Sequence, residues 1–150
     1  MAYRKMRIPG AHIKWKTDVF PTYPPTSGPL VSQRRINRLK PVVKALLEEE
    51  EIRITKAFVQ FARKRHPGAR VNVDLTGAMG RVDNTSVCQD ESLFGESDGE
   101  RIWIAKEKVN DAYLLGTMLH EALHYAARID NKYISEKDEH SVFRALGDDC

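Results

Sequence analysis

The feature that most constrains the fold of this chain is the order of its segments with helical periodicity and its segments with the alternation of strands. Apolar residues recur at helical spacing from about Ser32 to Glu50 and from Ile52 to His66, and again after Asn110. Between these segments lie short runs in which apolar and polar residues alternate, as in half-buried strands. Helices around a few short strands predict an α+β fold, with N-terminal helices and a small, mostly antiparallel sheet.

Prolines, glycines and periodicity divide these segments further. Pro41 is expected either to kink the first helix or to begin a second segment. Gly77 and Gly80 indicate a turn, and residues 94–100 are typical of a loop. Strands are predicted within 69–77, 81–89 and 101–105, and the later helices from 110 or 111 to about 129 and from about 135 to 146.

The first thirty residues differ in composition from the rest. They contain five prolines, whose spacing forbids a helix and favours an extended, basic arm. Residues 31–150 are long enough to bury one core and are expected to form a single domain. We therefore predict an arm over 1–30 and a domain over 31–150.

Charge is distributed unevenly between the two halves. Residues 1–70 hold 16 lysines and arginines against 5 acidic residues, whereas residues 71–150 hold 8 against 16. The basic half could contact nucleic acid, or it could simply complement the acidic half. No apolar run approaches the roughly 18 residues of a membrane span, the first residues lack the apolar segment of a secretory signal, and there are two cysteines. These features predict an intracellular, cytoplasmic protein without disulfides.

The segment predicted as the third long helix contains the motif H-E-x-x-H. His120 and His124 are four residues apart, so both imidazoles lie on one face of a helix and can reach one ion. Imidazole nitrogens suit zinc, and a catalytic zinc site has three protein ligands and an open position. Glu121 points away from this pair and is placed to take a proton from water as a general base. The alternative is that both histidines belong to the solvated face of an ordinary amphipathic helix.

A third ligand is expected in the last predicted helix. Glu139 lies on the same face as Val142 and Phe143, which must pack inward, and it is the first choice. His140 at the edge of that face is the second choice, and Glu136 is the third. A candidate that does not bind the metal is expected to orient a ligand or the water.

Residues 101–146 resemble the minimal zincin metallopeptidases, in which an edge strand precedes the HExxH helix and a ligand-bearing helix follows. The short phage- and virus-type HExxH proteins and the SprT/Spartan-like proteases are the most similar groups. In the gluzincin branch the third ligand is a glutamate, which corresponds to Glu139. In the SprT-like branch it is a histidine usually followed by glycine, and here His140 is followed by Ser141.

The resemblance implies a zinc-dependent endopeptidase that binds an extended protein or peptide substrate along residues 101–105. An oxyanion donor is expected among Tyr125, Tyr133, His140 and Arg144. The alternative is a zincin scaffold that binds zinc without turnover and acts as a nucleic-acid-binding or virion-associated protein. A protease recruited to DNA-bound proteins would combine the two functions.

Overall fold

The computed structural model describes residues 28–88 and 93–146, together with the backbone of 5–7 and 14–16. The helices in this part are α1 (Gln33–Glu49), α2 (Glu51–Arg65), α3 (Leu75–Asp83), α4 (Asp111–Leu123) and α5 (Glu136–Leu146). The strands are β1 (Lys5–Arg7), β2 (Lys14–Lys16), β3 (Val71–Val73), β4 (Thr85–Cys88), β5 (Gly95–Ser97), β6 (Ile102–Ala105), β7 (Ala127–Ile129) and β8 (Lys132–Tyr133). The predicted α+β fold is confirmed.

The predicted N-terminal arm is described only in part. β1 and β2 pair antiparallel, and the rest of residues 1–27 lies outside the described residues. Residues 28–30 lie along the segment before α4, where Val109 N–H donates to the Pro29 carbonyl at 3.3 Å and Leu30 bridges to Lys108. The end of the arm is thus attached to the domain.

Helix α1 follows its sequence signals closely. The Ser32 side chain accepts a hydrogen bond from Arg35 N–H, which satisfies a donor at the helix start. The helix continues through Pro41, so no second segment begins there. Its apolar face is buried at the positions that the periodicity predicts: Ile36, Leu39, Val43, Leu46 and Leu47.

The two three-stranded sheets differ in strand direction. One has the antiparallel order β3-β7-β8, and the other has the order β4-β6-β5, in which β4 is parallel to β6. The strand predicted at 101–105 is present as β6, but its predicted position at the edge is wrong, since β6 lies in the middle of its sheet. The reason is that β5 folds back on β6 through a turn in which Asp98 N–H donates to the Arg101 carbonyl at 3.1 Å. β5 takes the outer position, and the loop predicted at 94–100 contains this strand.

Gly77 and Gly80 lie inside α3 and not in the predicted turn. Asp74 caps this helix by accepting the Gly77 N–H at 2.8 Å. Leu75, Ala78 and Val82 bury its inner face. Capping and burial together outweigh the weak helix propensity of the two glycines.

Helix α4 runs through the core and carries the first four residues of the H-E-x-x-H motif on its last turn. Its N-cap is Asn110, whose side chain accepts a hydrogen bond from Tyr113 N–H at 2.8 Å. The helix ends at Leu123 and not near Ile129, because the chain leaves helical geometry at His124 (ψ 140°) and turns at Tyr125 (φ 63°). β7 then pairs with β3. Within the described residues, the helices lack the length and apolar character that crossing a membrane requires.

Candidate metal centre

The two histidines of the motif meet through their ring nitrogens. His120 lies in the last turn of α4, and His124 is the residue that caps this helix. Their Nε2 atoms are 3.3 Å apart. The helical spacing thus brings both imidazoles to one point, as predicted, although His124 itself has left the helix.

His140 on α5 completes a group of three imidazoles. Its Nε2 atom is 3.4 Å from the Nε2 of His124, and the ligand atoms of the three histidines lie within 4.8 Å of one another. Helix α5 presents His140 because Val142, Phe143 and Leu146 are buried on its inner face. The Phe143 ring centroid lies 5.0 Å from that of His120 and 5.0 Å from that of His124, so this phenylalanine packs against the cluster.

Glu139, the first choice for the third ligand, does not join this group. Its carboxylate oxygen Oε1 is 2.9 Å from Nδ1 of His124, on the ring edge away from His120 and His140. The other oxygen, Oε2, accepts the Tyr125 N–H at 2.7 Å. Only 3% of the Glu139 side chain is exposed. Helical periodicity correctly indicates that Glu139 points inward, but it does not distinguish a residue at the metal from one behind a ligand.

Glu136, the third choice, lies at the rim. Its side chain is 77% exposed, and its Oε1 is 3.9 Å from the Nε2 of His140. At that distance from one histidine, and with that exposure, it stands outside the convergent group of imidazoles.

Glu121 is buried beside the three histidines. Its Oε2 is 3.9 Å from Nε2 of His120, and the Ser97 hydroxyl donates a hydrogen bond to its carboxylate. Burial raises the pKa of Glu121 above its usual range, while His120, His124 and Ser97 act in the opposite direction. A carboxylate with a raised pKa, held next to a group that could bind a metal, is suited to accept and return a proton.

The pKa of His124 reflects two opposing influences. Burial lowers it, but the hydrogen bond with Glu139 and the neighbouring carboxylates raise it above its usual value. The surroundings of His124 therefore favour positive charge. A bound cation would satisfy the same preference.

The cluster opens into a cleft of about 460 Å³ between β5, α4 and α5. The cleft is lined by Leu93, Phe94, Gly95, Glu96, Ser97, His120, Glu121, His124, Tyr125, Ile134, Glu136, Glu139 and His140. Of the four expected oxyanion donors, Tyr125 and His140 line this cleft. Tyr133 lines a second pocket with Arg81 and Arg128, and the exposed Arg144 donates to Ser141 Oγ at 3.0 Å.

Sequence reasoning missed the contribution of β5 to this cleft. A Cβ atom at Gly95 would lie 2.7 Å from Cγ2 of Thr117 and 3.2 Å from Cγ of Glu121, so β5 approaches α4 more closely than a side chain permits. Ser97 on the same strand reaches Glu121. A strand of three residues is too short to show alternation, and Gly95 was the one available signal of a close approach.

The chain matches no protein-family model, no curated protein and no solved structure. The fold and the site define an α+β protein with a three-histidine group that could hold a metal ion.

Proposed function

We propose that this protein is a zinc-dependent endopeptidase in which His120, His124 and His140 bind the metal and Glu121 is the general base. The observation that carries the proposal is the convergence of three imidazoles beside a buried glutamate in an open cleft. The proposal replaces Glu139 by His140 as third ligand. It includes an intracellular setting, in which Cys88 remains a free thiol.

The chemistry of the donor set fits zinc. Three imidazoles leave an open position in tetrahedral coordination, as catalytic zinc sites do. His124 is bonded through Nδ1 to a buried carboxylate, which leaves Nε2 for the metal. When bound, zinc would supply a Lewis acid that polarises a carbonyl and lowers the pKa of water.

Three side chains near the candidate metal site would supply the remaining chemical functions. Glu121 would take a proton from the attacking water and return it to the leaving amine, for which its raised pKa is favourable. Ser97 would help to orient the Glu121 carboxylate through the hydrogen bond between them. Tyr125 lines the cleft and is the expected hydroxyl donor to an oxyanion.

The substrate would lie along β5 and not along residues 101–105. β5 is an outer strand of its sheet, packs against α4, and lines the cleft. Within the described residues, no strand pairs with the edge of β5 that faces away from β6, and an edge of this kind can pair with an extended peptide through backbone hydrogen bonds. A scissile bond on that peptide would pass next to Glu121.

Zinc analysis combined with a Glu121→Gln variant tests the proposal. The purified protein should carry about one zinc per chain. Glu121→Gln should retain the metal and lose cleavage of a broad peptide library. Absence of zinc from the wild-type protein would contradict the metal site, and zinc without cleavage would contradict the peptidase activity.

A zinc-binding scaffold that contacts nucleic acid is the second candidate, and the end of α2 favours it. Arg63, Lys64 and Arg65 are exposed there, and no carboxylate of the described residues pairs with them. Phosphate contacts by such a cluster give binding that weakens steeply with salt. Replacing these three residues by alanine should weaken retention on DNA and reduce its salt dependence. Replacing the exposed loop residues Lys106 and Lys108 is the control.

A further inference from the structure

The buried carboxylate of Glu139 contacts two neighbouring residues, one through each oxygen. Oε1 contacts Nδ1 of His124 at 2.9 Å, and Oε2 accepts the backbone N–H of Tyr125 at 2.7 Å. His124 and Tyr125 are consecutive residues at the point where α4 ends. One side chain from α5 therefore fixes both the ring and the backbone of this turn.

The turn itself needs such support. Tyr125 has φ 63°, in the left-handed region that residues with a side chain rarely adopt. On the other side of the turn, Arg81 Nη2 donates to the Ala122 carbonyl at 3.0 Å, and this arginine is 4% exposed. Burial lowers the pKa of Arg81, and the nearby negative charge of Glu139 acts against that shift. Two buried side chains of opposite charge, Arg81 and Glu139, thus hold the end of α4.

The contact with Nδ1 also determines which ring nitrogen of His124 carries the proton. A carboxylate oxygen can only accept, so a neutral His124 must donate from Nδ1 and leave the lone pair on Nε2. That lone pair points toward the Nε2 atoms of His120 and His140. The opposite tautomer would place a hydrogen atom among the three nitrogens and block a metal.

We infer that Glu139 is a positioning residue for the metal site, which fixes both the tautomer of His124 and the left-handed turn that takes His124 out of the helix. The inference rests on the proposed three-histidine site. Adjacent residues on α5 then have separate roles: His140 is a metal ligand, and Glu139 orients the ligand His124 at the end of α4.

Glutamine cannot replace glutamate in this role. A carboxylate offers two accepting oxygens to two donors, whereas an amide offers one oxygen and an NH₂ group. Glu139→Gln therefore leaves either His124 or the Tyr125 N–H facing a donor. Asp138→Asn makes the same chemical change on the preceding residue of α5, whose side chain does not line the cleft, and it is the matched control.

Zinc affinity, measured by competition with a chromogenic chelator, tests the inference. Glu139→Gln should bind zinc about 10–100-fold more weakly than the wild type, and Asp138→Asn should bind it equally well. Equal affinity of Glu139→Gln and wild type would overturn the role of Glu139. Failure of the wild-type protein to bind zinc would instead overturn the proposed function.

A second measurement uses the wild-type chain and does not depend on how the variants fold. Long-range ¹H–¹⁵N correlation spectra of the zinc-loaded protein should show His124 protonated at Nδ1 and bound through Nε2. Ligation through Nδ1, or a proton on Nε2, would contradict the inference even if the variant lost affinity.

Discussion

The Nε2 atoms of His124 and His140 lie 3.4 Å apart, although sixteen positions separate the two residues in the chain. His124 ends α4, and His140 lies on α5. The contact forms because Phe143, three residues beyond His140, is buried against the histidine cluster. This burial sets the rotation of α5 about its own axis. The candidate centre therefore depends on the docking of α5 as much as on the H-E-x-x-H motif.

His140→Ala should remove most of the bound zinc, because it deletes one of three convergent imidazoles. We expect about one zinc per chain in the wild type and a small fraction of that in the variant. His66→Ala is the control, since His66 is an exposed histidine at the end of α2. Metal analysis of the dialysed proteins measures the difference. Full zinc content in His140→Ala would contradict the three-histidine site.

Gly95→Ala should destabilise the protein and lower its activity. The added Cβ would lie 2.7 Å from Thr117 Cγ2, so either β5 or the Thr117 side chain, which donates a hydrogen bond to the Tyr113 carbonyl, must shift. Overpacking of this kind costs about 1–3 kcal/mol in the free energy of unfolding. Gly80→Ala is the matched control, because its Cβ meets nothing within 4 Å and α3 should gain about 0.5–1 kcal/mol. Denaturant unfolding measures both changes, and equal stability of the two variants would show that β5 does not pack so closely.

Ser97→Ala should lower kcat about tenfold while KM and zinc content stay the same, which corresponds to about 1.4 kcal/mol in the reaction barrier. The reason is that Ser97 forms a hydrogen bond with the Glu121 carboxylate and is not part of the three-histidine group that could hold the metal. Ser86→Ala, an exposed serine on β4 of the same sheet, is the control. Steady-state kinetics on a cleaved peptide measures the effect. A rise in KM alone would assign Ser97 to substrate binding.

Asp98→Asn should lower stability at neutral pH and leave it unchanged in acid. Asp98 Oδ1 accepts the N–H groups of Glu100 at 2.7 Å and Arg101 at 2.8 Å. The Glu100 N–H contributes most to lowering the pKa of Asp98 below its ordinary value of 3.8. Because the pKa of Asp98 is lower in the folded than in the unfolded protein, its charged carboxylate stabilises the fold when the pH is above the pKa of the unfolded state. This contribution disappears as the pH falls through the pKa of the folded state.

Because Asp98 lies near the surface, solvent screening should keep this difference below about 1 kcal/mol. Unfolding of wild type and variant between neutral pH and acid, at constant ionic strength, measures it. A difference that stays constant down to the most acidic condition would mean that the charge of Asp98 is not involved.

Local patterns were sufficient for much of the architecture. The apolar faces of α1 and α5 lie where periodicity predicts them, and α4 begins at Asp111, one of the two predicted starts. These features depend on residues within one or two turns of each other, so a single segment contains the information. The end of α4 did not follow its pattern, because pairing of β7 with β3 and the turn at Tyr125 override helical periodicity.

By itself, the sequence determined the α+β class and the common reach of His120 and His124, since the i,i+4 spacing alone places them on one face. Tertiary structure decided the rest of the candidate site. It brought His140 to the histidine pair, placed Glu139 behind His124, and made β5 the outer strand in place of residues 101–105. Each of these depends on how segments distant in the chain pack together. Helical periodicity tells which side of α5 faces inward, but only the packed neighbour decides which atom each side chain meets.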